Sequence, residues 1–382
     1  MTAHSKISAD LIVIGGGIHG CSAAMFAAQR GMDVVLIEKD TIGRHASGVN
    51  AGGVRRLGRD FAELPISQHS MELWYTLADL VEDDCGFQIA PQIKLAETPQ
   101  EMATLTERVA QLRTLGFEHE VVLDRAEVRR LLPAVSDHIV GGIGSLRDGF
   151  AQPYQTTFAI ARRAQHFGAR FFENETVQRV EKNAQTSEQI WEVSTDQATY
   201  AAPNVLNCAG AWAGRLAESL GETVPIEAVA PMMMVTSRLP PFCDAVVGAA
   251  GRPLSFKQMP NGTVVIGGGR LGYADPSKNL SEMIFPELRL TAQTAMEIFP
   301  IMRNATIVRS WSGIEGRMPD KIPVIGPSAK HAGLFHAFGF SLHGFQMGLG
   351  VGDIMAELIA NGSTQWQLGA FAIDRFAQRP TF

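Results

Sequence analysis

The 382-residue sequence has only four cysteines, and none of them forms a CxxC pair: Cys21, Cys85, Cys208 and Cys243. Isolated cysteines are typical of buried thiols in a reducing compartment and argue against a disulfide framework or a zinc motif. The chain also lacks any apolar run approaching about 18 residues, so no transmembrane segment is expected. Its first ten residues are polar and do not resemble a signal peptide, which predicts a cytoplasmic protein.

The chain is also poor in clustered positive charge. Lys and Arg number 33 against 39 Asp and Glu, the net charge is −6, and no basic block stands out. Nucleic-acid binding is therefore not expected. No metal-ligand pattern is visible, so no metal is predicted. The length predicts two domains or one large interleaved body.

The first forty residues have the pattern of a βαβ unit. Leu11–Ile14 and Val34–Ile37 are continuous apolar runs, which are typical of parallel strands buried on both faces. The Ala-rich segment Cys21–Arg30 between them favours a helix. The turn Gly15–Gly20 reads Gly-Gly-Gly-Ile-His-Gly, and Glu38 closes the second strand.

The turn matches GxGxxG, with glycines at 15, 17 and 20. In such a turn the first glycine permits a tight bend, the second lets the backbone approach a pyrophosphate, and the third lets helix and strand pack closely. An acid at Glu38 can accept hydrogen bonds from ribose hydroxyls. The alternative is a glycine-rich turn in an unrelated α/β fold, and the motif alone does not separate FAD from NAD. The residues expected at the dinucleotide are Gly15, Gly17, Ile18, His19, Gly20, Glu38 and Lys39.

Three distant segments favour a flavin. Ala46–Gly53 is a loop of small residues that lets backbone amides approach a flat ring, and Ala337–Gln346 runs from a strand into a helix whose N-terminus can face a flavin carbonyl. A long helix is expected from about Gly348 to Asn361. The third segment is Asn207–Trp212. Taken singly, each segment could be an ordinary surface loop or strand–helix turn.

Together these segments resemble the D-amino-acid-oxidase-like flavoprotein family, closest to sarcosine oxidase, glycine oxidase and the β-subunits of amine dehydrogenases. The resemblance spans nearly the whole chain. Its further motifs are Asp148-Gly149, Pro153, Trp311–Ile314, Pro319-Asp320, Pro323–Gly326 and Gly339–Phe345.

The resemblance implies an α/β fold in which a doubly wound, Rossmann-like FAD domain is interleaved with a substrate domain built on an antiparallel sheet. The implied FAD-binding domain comprises residues 1–87, 141–222 and 318–382. The implied substrate domain comprises residues 88–140 and 223–317.

The resemblance also implies further FAD contacts and a non-covalent flavin. Monomeric sarcosine oxidases attach the flavin through a cysteine, and Gly313 occupies that position here. The implied contacts are Ser47, Asn50, Ala51, Gly52, Val177, Ala209, Gly210, Trp212, Gly344, Phe345 and Gln346.

For the substrate, the resemblance points first to Arg55, which matches the arginine that binds the substrate carboxylate. Gln346 stands where sarcosine oxidases have a second, carboxylate-binding lysine, and Arg317 is a candidate replacement. His343 is expected to position the flavin turn. Arg270 is the nearest match to the lysine that oxidases place over the flavin, with Lys257 on the preceding strand.

The resemblance thus implies oxidation of the C–N bond of an amino acid or a secondary, N-substituted amino acid by hydride transfer, with oxygen, a quinone or a partner subunit as acceptor. Two alternatives stay open. One is a dehydrogenase of a 2-hydroxy acid or glycerol phosphate, and the other is a flavoprotein subunit of an electron-transferring hetero-oligomer.

Overall fold

The computed structural model describes residues 6–183 and 190–376, and a six-stranded sheet lies at its centre. Five neighbouring strands run parallel and the sixth, at one edge, is antiparallel. In spatial order the strands are Arg170–Phe172, Val34–Ile37, Leu11–Ile14, Asn204–Asn207, Leu334–Phe338 and Val324–Pro327.

Alternate residues of the central strands pack into different layers. Leu11 and Val13 join a core with the helices on one face, and Ile12 and Ile14 join a core with a second sheet on the other, as the two-residue period of a strand requires. The helices of the first layer are Ile18–Gln29, Leu64–Tyr75, Pro153–His166 and Gly344–Asn361. The four strands of the second sheet are Lys6–Ser8, Thr199–Ala202, Trp191–Thr195 and Val177–Lys182.

A separate eleven-stranded sheet carries the rest of the fold and is mostly antiparallel. Its path is Leu280–Glu282, Leu271–Asp275, Glu227–Thr236, Val264–Gly267, Ser255–Gln258, Val246–Ala249, Gln92–Ala96, Gly141–Ser145 and Val121–Asp124, and Ile307–Ser312 and Glu315–Arg317 also pair with Glu227–Thr236. Its apolar core is shared with the helices Arg125–Leu131 and Phe285–Ile298. Helix Pro99–Thr114 packs on a smaller cluster.

The remaining elements are short. A three-stranded sheet is formed by Gly53–Val54, Gly149–Phe150 and Gln88–Ile89. The short helices are Ala46–Val49, Leu77–Val81 and Ala213–Ser219, and the 3₁₀ turns are Phe61–Glu63, Gly210–Trp212, Pro300–Asn304, Gly369–Phe371 and Ile373–Phe376. Within the described parts of the chain, no helix combines the length and apolar character that crossing a membrane requires.

This architecture confirms the predicted fold class. The C-terminal helix begins at Gly344 rather than near Gly348, so its first turn belongs to the predicted flavin segment. Strand Gly141–Ser145 pairs with Gln92–Ala96 in the large sheet, although the predicted division assigns residue 141 onward to the FAD-binding domain. We propose that this boundary lies after Ser145, and the division otherwise stays a prediction.

Candidate active site

A cavity of about 1040 Å³ lies between the carboxyl ends of the central strands and the large sheet. Ile14, Ile37 and Phe338, at or near the ends of three central strands, line one part. Gln92 and Lys94 of the large sheet line another. Open α/β sheets bind ligands at this edge.

The glycine turn forms one wall of the cavity. Gly15 has φ +112, and a β-carbon there would lie 2.4 Å from the Cys208 carbonyl oxygen, so only glycine fits. Gly17 lies on the cavity at the start of helix Ile18–Gln29. Gly20 lies behind it, where a β-carbon would be 2.0 Å from the Gly15 oxygen. The turn therefore brings backbone N–H groups and the positive helix end to the cavity.

Glu38 closes this wall from the next strand. Its Oε2 accepts from Gly16 N at 2.6 Å and its Oε1 from Asp40 N at 2.8 Å. Burial raises the pKa of Glu38, against the effect of these two bonds. The carboxylate borders the cavity and is fixed by the backbone, with lone pairs left for a ligand's hydroxyls.

Lys39 and Trp212 lie side by side on the cavity. The Lys39 ammonium is 3.9 Å from the centre of the Trp212 ring and donates to Asp40 at 2.7 Å. The predicted neighbours Val177, Ala209 and Gly210 also line the cavity. The structure therefore brings these five predicted contacts to one chamber.

In the loop Ala46–Gly53, the polar side chains form hydrogen bonds that fix the backbone conformation. Ser47 Oγ accepts from Ile18 N at 2.9 Å. Asn50 donates to the carbonyls of residues 46 and 47 and accepts from Gly52 N at 2.7 Å. Ser47, Asn50 and Ala51 line the cavity, whereas Gly52 lies behind it against the Ala151 oxygen.

The turn before the C-terminal helix forms the opposite wall. Ser341 and Leu342 both have positive φ, and Gly344 and Phe345 then start the helix at the cavity. His343 Nδ1 contacts the Ser341 oxygen at 2.8 Å and Nε2 contacts Glu63 at 2.9 Å. Burial lowers the pKa of His343. These contacts link the turn to Glu63, and the positioning role of His343 stays a prediction.

The surroundings of His19 provide evidence about the ligand of the cavity. Its ring stacks on Phe340 with centroids 3.5 Å apart. Its Nε2 is buried with no hydrogen-bond partner among residues 6–183 and 190–376, and burial lowers its pKa to about 3. A buried polar atom at a cavity wall without a protein partner is consistent with a ligand atom at that point. Together with two helix N-termini and the Glu38 carboxylate, it fits a bound dinucleotide.

Of the adjacent arginines Arg55 and Arg56, Arg55 is the one that lines the cavity. It donates to the Leu57 oxygen at 2.6 Å, and burial lowers its pKa. Arg56 instead pairs with Asp148 at 2.9 Å and does not line the cavity. The other donors of Arg55 bond to no residue of 6–183 and 190–376, so they can bind a carboxylate.

The structure does not bring three other predicted residues to the cavity. Gln346 is fully buried, and its side chain bonds with Arg59 and Ser67. Arg317 donates to Glu227, and Arg270 donates to Glu287 at 2.8 Å. These contacts correct the predicted direct roles, because each side chain has a protein partner outside the cavity lining.

Three polar residues of this region were not predicted at the site. Glu315 and Lys94 line the cavity. Lys257 is 4 % exposed, and its ammonium lies 4.6 Å from the Phe150 ring centre. A β-carbon built on Gly52 would lie 3.1 Å from that ammonium, so Lys257 is next to the flavin loop. Strand alternation offered a signal for Lys94, since Ile93 and Leu95 on either side of it face the core.

Known proteins resemble this chain along nearly its whole length. Dimethylglycine dehydrogenase of Rattus norvegicus is 25 % identical over 98 % of this chain, which spans only 46 % of that relative. Sarcosine oxidase subunit beta of Rhizobium meliloti is 27 % identical, with 96 % of this chain and 88 % of the relative covered. The crystal structure of L-proline dehydrogenase from P. horikoshii matches with a TM-score of 0.90 at 25 % identity, covering 98 % of this chain and 99 % of that one. The family model of FAD-dependent oxidoreductases matches residues 10–358, and the chain therefore belongs to this FAD-dependent family, as its sequence motifs predict.

Proposed function

We propose that this chain oxidises the C–N bond of an amino acid or a secondary, N-substituted amino acid. The observation that carries the proposal is the Arg55 guanidinium on the cavity wall, two residues after the loop that the sequence assigns to the flavin. Such a group binds a carboxylate through two parallel hydrogen bonds. The names of the relatives, which include a dimethylglycine dehydrogenase and a sarcosine oxidase subunit, support an amino-acid substrate.

The reaction requires little of the protein beyond positioning and proton transfer. The bound FAD supplies a two-electron acceptor. The substrate loses a hydride from its α-carbon and a proton from its nitrogen, which leaves an imine. Water then adds to the imine carbon, and the C–N bond breaks to release an amine and a carbonyl compound. Arg55 would hold the carboxylate so that the α-carbon has one fixed position.

Glu315 is placed to accept the amine proton. Its Oε1 accepts from Leu342 N at 2.6 Å, and its carboxyl lines the cavity at the C-terminal turn. Burial raises the pKa of Glu315 to about 7, which suits a general base at neutral pH.

The proposed function is tested by anaerobic flavin reduction. The holoenzyme is mixed with sarcosine, proline and dicarboxylic amines in both enantiomers where they exist, and with 2-hydroxy acids and glycerol phosphate. We expect bleaching by amines and none by the hydroxy compounds. Bleaching by a hydroxy compound alone would replace the proposal with the C–O alternative. A flavin that no substrate reduces would refute it in favour of an electron-transfer subunit.

Lys257 favours oxygen as the electron acceptor. Oxidases of this family place a lysine over the flavin where oxygen reacts. Lys257 is buried behind the cavity lining, and its ammonium lies next to Gly52 of the flavin loop, whereas Arg270 pairs with Glu287. We expect Lys257→Met to slow reoxidation of the reduced flavin by oxygen about 100-fold, because a fixed cation no longer stabilises the charge that develops on oxygen. Stopped-flow absorbance measures this rate.

The pH dependence and a surface variant control this prediction. Burial lowers the pKa of Lys257 to about 7, so the cation is present below that pH and the wild-type reoxidation rate should fall as pH rises through it. Lys278→Met, at an exposed lysine, should behave as wild type. Slow reoxidation of the wild type itself would assign electron transfer to a quinone or a partner subunit.

A hetero-oligomer also stays a prediction. By its name, sarcosine oxidase subunit beta is one part of a complex, and this chain spans about half of dimethylglycine dehydrogenase. Bleaching of the isolated chain in the reduction experiment would show that it carries the site alone.

A further inference from the structure

The substrate part of the cavity has more positive charge than one carboxylate needs. We call Arg55, Lys94 and Lys321 the cation cluster; all three line the cavity. A β-carbon built on Gly58 would lie 3.2 Å from Lys94 Nζ and 3.8 Å from Arg55 Nη1. The two charges are therefore near neighbours, and the exposed Lys321 adds a third.

Among residues 6–183 and 190–376, no ion pair neutralises this cluster. Three carboxylates interact with it electrostatically, but each has another partner: Asp148 pairs with Arg56, Glu120 pairs with Arg108, and Glu63 bonds with the His343 imidazole. In the described parts of the chain, no hydrogen bond or ion pair is formed by the Lys94 ammonium. Burial, and then Arg55, lower its pKa.

An anion bound beside Lys94 would offset the hydration that its ammonium loses on burial and the repulsion from Arg55. The strand fixes its direction, because Ile93 and Leu95 pack in the core on the other face. The Arg55 guanidinium can bind one carboxylate by itself. Resting on the proposed function, we propose that the substrate carries a second carboxylate, which Lys94 binds while Arg55 binds the first.

The substrate class is therefore a dicarboxylate: an N-carboxyalkyl amino acid, or an amino acid with an acidic side chain. The competing arrangement has Arg55 and Lys94 sharing one carboxylate. The two arrangements differ in a measurable way. A shared carboxylate makes Lys94 equally important for mono- and dicarboxylates, whereas a second carboxylate makes it important mainly for dicarboxylates.

The test measures binding without turnover. Oxydiacetate and methoxyacetate have an ether oxygen where a dicarboxylic or monocarboxylic substrate has nitrogen, so neither can form an imine. Each is titrated into the oxidised holoenzyme, and Kd is read from the change in flavin absorbance and from calorimetry. We expect the wild type to bind oxydiacetate at least about tenfold more tightly, as one charge-assisted hydrogen bond gives.

Lys94→Met should reduce this preference about tenfold or more, and Lys94→Arg, which keeps the charge, should retain much of it. Lys278→Met, at an exposed lysine outside the cavity lining, should keep the wild-type ratio. Bound FAD and the circular dichroism spectrum establish that each variant is folded. No preference in the wild type, or an equal loss for both ligands in Lys94→Met, would overturn the proposal.

The binding test and the flavin-reduction test can fail separately. If no amine bleaches the flavin but the oxydiacetate preference depends on Lys94, amine oxidation fails and the dicarboxylate site stands. If monocarboxylic amines bleach the flavin and the ether preference is absent, amine oxidation stands and the dicarboxylate inference fails.

Discussion

Gly15→Ala is expected to yield a folded protein that has lost its FAD. The added methyl group would lie 2.4 Å from the Cys208 carbonyl oxygen, on a backbone with φ +112 that side chains rarely adopt. The turn must therefore move away from the position from which it contacts the pyrophosphate. We expect FAD affinity to fall by about two orders of magnitude or more, which corresponds to about 3 kcal/mol.

The measurement is flavin absorbance relative to protein absorbance after purification, followed by titration of the apoprotein with FAD. Because a covalent flavin would stay with the variant, the same experiment tests the predicted non-covalent attachment. Gly31→Ala is the matched control: it lies just after the other end of the same helix with φ +86, and nothing lies within 4 Å of its β-carbon. If both variants lose FAD equally, backbone strain rather than the turn is responsible.

The dinucleotide turn was predictable because all of its determinants are local. Two apolar runs, the glycine spacing and Glu38 lie within forty residues, and a βαβ unit has one strongly preferred hand. Arg55 was predictable for a related reason: it follows the flavin loop directly, so its position depends on few intervening residues.

The roles expected for Gln346, Arg317 and Arg270 depended on distant partners that the sequence does not reveal. Gln346 lies in the first turn of its helix, and a helix turns by about 100° per residue, so proximity in sequence to Gly344 does not decide which way a side chain points. Helix Leu64–Tyr75 lies on the Gln346 side and provides Ser67 as a hydrogen-bond partner.

The ion pairs of the two arginines show the same limit. Glu227 is 90 residues from Arg317, and its strand lies beside Glu315–Arg317 only because the large sheet brings the two strands together.

Lys94 and Glu315 were not predicted at the site because no motif pointed to them. Neither belongs to a family motif, although each is a charged residue within a strand, and such a residue must point to solvent or to a polar cavity.

Glu315→Gln is the second variant with a large expected effect. If Glu315 accepts the amine proton, the amide cannot replace it, and anaerobic flavin reduction near pH 8 should slow by about 10²–10⁴-fold, the usual contribution of a positioned base. Stopped-flow measurement across pH gives the rate. Glu315→Asp, which keeps a carboxylate on a shorter chain, should recover part of it.

The pH profile identifies the group responsible. Burial raises the pKa of Glu315 from its ordinary value of 4.5 to about 7, so the carboxyl is protonated and inactive below that pH and ionised above it. The wild-type rate should therefore rise through about pH 7. The substrate amine must also lose its proton, which adds a second rising limb to the pH profile. The midpoint of this moving limb shifts with the basicity of the amine, whereas the midpoint of the fixed limb, set by Glu315, is the same for every amine.

Two amines of different basicity separate these limbs. In Glu315→Gln the fixed limb should disappear while the moving limb remains, a change that general damage to the fold would not produce. Glu282→Gln, at an exposed glutamate outside the cavity lining, should keep both limbs. A fixed limb that persists in Glu315→Gln would assign the proton to another group.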